Sequence, residues 1–75
     1  MSYFTEDSIE KFPKPLPGIV DEEIGLLPGR LKFRASYWPA MLDDEASDRN
    51  LTLQPGQPVL VVGRVNITLL VRPVV

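Results

Sequence analysis

The 75-residue chain has no cysteine and no histidine. Without cysteine there is no disulfide framework and no thiolate metal site, and without histidine the commonest metal ligand and general base is missing as well. The two absences together remove most catalytic chemistry, and Ser36 and Ser47 have no histidine to activate them. Long apolar runs are missing too: the longest in the C-terminal part is Val59–Val62, far short of the ~20 residues a membrane-spanning helix needs. The first residues carry neither a basic start nor an apolar core, so they do not read as a signal peptide. These features predict a soluble, cytoplasmic protein without metal or cofactor and without enzymatic activity. A chain this short hides only about 60–65% of the surface its unfolded form exposes, so its core must be small.

What the chain does have is proline, eight residues in all, and an uneven distribution of charge within a formal net charge of −2. Residues 1–24 hold six acids against two lysines, and the remainder holds six cations against four acids. An acidic leader thus precedes a mildly basic body, too weakly charged to drive phosphate-backbone binding by counterion release.

Within the leader, Asp7 and Glu10 stand at capping-box spacing, but Pro13 stops any helix after a turn or so. A frayed terminus is the favoured reading. The alternation of proline in Pro13-Lys14-Pro15-Leu16-Pro17 favours an extended, stiff spacer. Residues 1–17 are therefore expected to form a flexible, proline-rich leader and residues 18–75 the folded domain.

Turn signals and alternation take over from Gly18. Ile19-Val20 is expected to begin a first strand that resumes at Ile24-Gly25-Leu26-Leu27. Pro28-Gly29 marks a turn or bulge in which glycine supplies a positive φ. Arg30-Leu31-Lys32-Phe33-Arg34 alternates strictly, with two apolar residues on one face and three cations on the other. Tyr37–Leu42 returns as its partner. Pro39 within it has no N–H for a ladder, so this strand is expected to lie at an edge or carry a bulge there. Residues 43–56 are polar and irregular, with Leu51 and Leu53 as anchors and a helical turn or functional loop expected near Asp44–Asp48. Gln54-Pro55-Gly56-Gln57 has the proline and glycine of a type II turn. Pro58–Pro73 then forms an apolar hairpin whose first strand, apolar on both faces, should be central.

Five short strands punctuated by glycine and proline predict an all-β fold, a small five-stranded OB-like barrel, with an SH3-like barrel as runner-up. Leu31, Phe33, Trp38, Ala40, Val59, Val61, Leu69 and Val71 are the expected core. Which of Tyr37 and Trp38 points inward depends on the bulge at Pro39 and stays open.

Gly29-Arg30-Leu31-Lys32-Phe33, Trp38-Pro39-Ala40, the run Leu53–Val61 and Leu69-Leu70-Val71-Arg72-Pro73 together resemble the C-terminal OB-fold domain of NfeD-like proteins. In that family a glycine opens an alternating strand, W-x-A follows, a glycine precedes V-x-V, and L-x-V-x-P closes the domain. The resemblance covers Leu27 to Pro73 and departs from the pattern at Ala35, where glycine is frequent. That turn must then use a conformation alanine tolerates, or a longer loop. The family typically works beside stomatin- or prohibitin-like membrane proteins. The resemblance therefore implies a non-enzymatic protein-interaction module with such a partner, peripheral to a membrane and without direct insertion.

Arg30, Lys32, Arg34, Tyr37 and Trp38 are the candidate partner-binding residues. The cation row also fits an ordinary solvated strand face that discourages edge aggregation, and the two aromatics also fit a core residue and its cover. An alternative of another class is an OB-type single-stranded nucleic-acid binder that stacks bases on Tyr37 and Trp38. The low positive charge argues against it. Asp43, Asp44, Glu45 and Asp48 lack the order of a calcium loop and read as a plain acidic loop.

Overall fold

A computed structural model of the chain describes residues 9–43 and 51–74. Five strands, β1 (Ile9–Glu22), β2 (Gly29–Phe33), β3 (Ser36–Leu42), β4 (Pro58–Val65) and β5 (Thr68–Pro73), close into one barrel in the order β1-β2-β3-β5-β4. All neighbours are antiparallel except β3 and β5, which run parallel. No helix occurs among the described residues. This is the expected all-β, OB-like barrel; the helical turn suggested near Asp44–Asp48 lies outside the described residues, as does the leader up to Ser8.

The first strand corrects the expected start of the folded domain. β1 begins at Ile9, and Ile9, Glu10 and Lys11 lie opposite Val65, Arg64 and Gly63 of β4. The Pro13–Pro17 stretch is part of this strand rather than a spacer. The register is interrupted between Lys11 and Leu16 and resumes with Leu16 opposite Val61 and Pro17 opposite Leu60. Pro13 and Pro15 fall in the interruption, where no ladder donor is required. Proline's fixed φ is compatible with extended backbone, so these residues continue the strand. The strand ends at Glu22, before the expected continuation: Leu26 and Leu27 lie in bends and are 90% and 78% exposed.

The core follows the alternation. Leu31, Ala40, Val59, Val61 and Val71 are fully or almost fully buried, with Phe33 and Leu69 close behind, and Trp38 packs half-buried against them. Three residues absent from the expected core, Val20, Ile24 and Leu53, are also buried there. Ile24 exchanges backbone hydrogen bonds with Leu53 at 3.0 and 2.7 Å, and both side chains are completely buried. The pair closes the barrel at the end where β1 leaves and β4 enters. Leu70 is buried as well.

Two glycines carry specific backbone demands. At Gly29 a Cβ would overlap the carbonyl oxygens of Glu22 and Glu23, so the requirement is close approach; its φ is not positive, contrary to expectation. Gly56 takes φ 89°, and the Gln57 N–H donates to the Gln54 carbonyl at 3.0 Å, closing the expected turn. The β2–β3 register runs without interruption from Gly29 opposite Ala40 to Phe33 opposite Ser36, so Pro39 causes no bulge. β3 begins pairing with β5 only at Ala40, which leaves Pro39 on a local edge.

Candidate functional site

The uninterrupted β2–β3 register decides how the five candidate residues are arranged. Residues opposite each other share a face of the sheet, so Leu31 and Trp38 lie together on the barrel interior and Lys32 and Tyr37 together outside. Arg30 is on the outer face beside Pro39. Arg34 belongs to neither face: with Ala35 it forms the two-residue turn between Phe33 and Ser36, at φ 53° and 64°. The turn is a left-handed one, the conformation that glycine takes without cost, and alanine occupies it rather than avoiding it. The sequence expectation at Ala35 is thus corrected.

The outer face is a mixed surface. Tyr37 is 58% exposed, and Lys32 sits between it and the half-exposed Ile19 of β1. Arg30 is already engaged: its Nε donates to Asp21 Oδ2 at 2.7 Å and Nη2 reaches Glu22 Oε2 at 3.1 Å. Its guanidinium also lies 5.5 Å from the Tyr37 ring centroid, a cation–π geometry. The hydrogen bond to Asp21, ahead of the nearby charge of Glu22, raises the Arg30 pKa above its ordinary value. The three cations therefore do not act as one free row.

The other end of the barrel holds a cleft of about 300 Å³. Its apolar lining comes from Phe12 of β1, Phe33 of β2, Trp38 of β3, Leu69 of β5 and Ile67 in the β4–β5 turn. Polar groups stand around it: Ser36, Arg34 and the pair Glu10–Arg64, in which Arg64 Nε donates to Glu10 Oε1 at 2.9 Å. The Arg34 guanidinium lies 5.3 Å from the Phe33 ring centroid. Trp38 Nε1 is buried and finds no hydrogen-bond acceptor among the described residues. No local sequence pattern marks this cleft, because its lining comes from all five strands and two turns that only the barrel brings together.

The candidate set thus splits in two. Arg30, Lys32 and Tyr37 share the outer face, while Arg34 and Trp38 line the cleft. Tyr37 and Trp38 point to opposite sides of the sheet, so the aromatic platform expected of a base-stacking barrel is not assembled. Asp43, the described member of the acidic loop, is 4% exposed and accepts from Lys11 Nζ at 3.0 Å. Among the described residues no group of three or more histidine, cysteine, aspartate or glutamate side chains could hold a metal ion. No described helix is long and apolar enough to cross a membrane.

No family model and no curated protein matches the chain. Two solved structures do. The soluble domain of a membrane protein implicated in regulation of membrane protease activity, from Corynebacterium glutamicum, superposes with a TM-score of 0.65 at 21% identity, over 89% of this chain and 92% of that one. The C-terminal domain of a stomatin operon partner protein from Pyrococcus horikoshii gives a TM-score of 0.61 at 27% identity, over 95% and 94% of the two chains. The fold is that of an NfeD-like C-terminal domain. Both neighbours match over nearly their whole length, so the shared unit is the barrel itself.

Proposed function

We propose that this barrel is a non-enzymatic docking module for a stomatin- or prohibitin-like membrane-associated protein. The observation that carries the reading is the match to the domain of a stomatin operon partner protein over nearly the full length of both chains. The outer face of β1, β2 and β3 suits such contact. It presents an exposed aromatic, Tyr37, beside a cation, Lys32, and an apolar residue, Ile19, and tyrosine with apolar neighbours is a common anchor at protein interfaces. Arg30, held by Asp21 and Glu22, fixes the Tyr37 ring rather than offering a free charge. Action at the cytoplasmic side of a membrane through the partner is part of this proposal.

The test is capture from a solubilised membrane fraction with the immobilised chain, followed by identification of the bound proteins. Wild type is expected to retain a stomatin- or prohibitin-like protein, and Tyr37→Ala combined with Lys32→Glu to lose it. Recovery of no such protein, or equal recovery by the double variant, contradicts the reading. A flat Trp38 fluorescence response to single-stranded oligonucleotides at low salt is expected from the same module.

A further inference from the structure

The cleft at the open end of the barrel combines three properties that do not follow from filling a core. Its β3 wall is an edge: among the described residues Ser36–Pro39 pair only with β2, because β5 joins β3 first at Ala40. An edge of this kind offers backbone groups to an added strand. Trp38, one of its lining residues, carries an indole N–H that is buried with no acceptor among the described residues, a costly arrangement. Its rim carries unequal charges. Arg64 is matched by Glu10, whereas Arg34 has no carboxylate partner among the described residues. The volume, about 300 Å³, is at the small end for ligand pockets and suits a few side chains better than a large cofactor.

We propose that the cleft takes a short extended peptide segment of a protein partner, laid along the Ser36–Pro39 edge. An apolar side chain of the segment lies between Trp38 and Ile67, the indole tilts toward the cleft so that its Nε1–H donates to a backbone carbonyl of the segment, and a carboxylate meets Arg34. Charge complementarity at Arg34 and the unmet donor at Trp38 select an acidic, apolar peptide over a purely apolar or basic one. The inference deepens the docking reading by describing a segment its partner would present. Its test uses peptides alone, so its failure is distinguishable from failure of partner capture.

The experiment follows the indole N–H resonance of Trp38, the single tryptophan of the chain, as two capped pentapeptides are titrated into the full chain. One has the order Asp-Val-Phe-Val-Asp and the other Lys-Val-Phe-Val-Lys. The acidic peptide is expected to move the resonance saturably, with the basic one at least about tenfold weaker. Ile67→Glu, at an exposed turn position that leaves the core intact, should weaken acidic-peptide binding by about tenfold or more. Arg34→Glu should reverse the preference between the peptides. A resonance that stays still at millimolar peptide, or that responds equally to both peptides, overturns the proposal. It is likewise overturned if the resonance moves with protein concentration alone, which assigns the cleft to a second copy. A response that appears only when the chain is shortened to begin at Ile9 assigns it to the chain's own first residues, and also overturns it.

Discussion

The two ends of the barrel are built on different terms. At one end Ile24 and Leu53 are completely buried and exchange two backbone hydrogen bonds, Gly29 admits the carbonyls of Glu22 and Glu23, and Gly56 closes a turn that glycine is suited to. At the other end the β2–β3 turn places Arg34 and Ala35 at positive φ, Ile67 is 64% exposed in the β4–β5 turn, and a buried indole N–H has no acceptor among the described residues. The difference teaches where stability and contact are divided. The first end satisfies its backbone and buries its side chains. The second keeps local strain, apolar exposure and an unmet donor together, a combination typical of functional sites.

This contrast is broken most directly at the closed end. Leu53→Ala should cost about 3 kcal/mol by removing a completely buried side chain and leaving a cavity, a large share of the stability of so small a domain. Denaturant unfolding should show the midpoint falling accordingly, and a loss below about 1 kcal/mol would place the core elsewhere. Lys11→Met should follow with about 1–3 kcal/mol, since it strips the Lys11 ammonium from the buried Asp43 carboxylate. Thermal unfolding of Lys11→Met beside Lys11→Met/Asp43→Leu checks this, because the double variant should recover part of the loss.

At the open end the sign reverses. Ala35→Gly should stabilise by about 1 kcal/mol, because glycine takes the left-handed turn without the Cβ penalty. A destabilised Ala35→Gly in denaturant unfolding would mean that the turn is not strained. The smallest effect is expected on the outer face. Asp21→Asn should change stability by less than about 0.5 kcal/mol, as exposed ion pairs generally do. Its effect should instead appear in the Tyr37 ring resonances, once the Arg30 guanidinium loses its strongest anchor.

Much of this architecture is legible in the residues. Leu31 and Phe33 alternate with cations and form β2 with two residues inside, and Pro55-Gly56 forms the turn its order implies. The part of the first strand before Gly18 was hidden because proline reads as a breaker. At Pro13 and Pro15 it sits in a ladder interruption, which is visible only once β4 is placed beside β1. Leu26 and Leu27 misled in the opposite sense, since apolar character suggested a strand where the chain bends. The site was the least legible part. For Tyr37 and Trp38 the residues allowed either a platform or a core residue with its cover, and strand alternation, which sends them to opposite sides, delivers the second. The cleft gathers residues 10–12, 33–38 and 64–69, and no local pattern connects them.

The most direct test of the account is the map of amide resonances that shift when a purified stomatin-like protein is added to the isotopically labelled chain. Shifts are expected to concentrate at Lys32, Tyr37 and the Arg34–Ala35 and Asn66–Ile67 turns, with Ile24 and Leu53 unmoved. Shifts centred on Leu26 and Leu27, or none at concentrations that saturate capture, would contradict it.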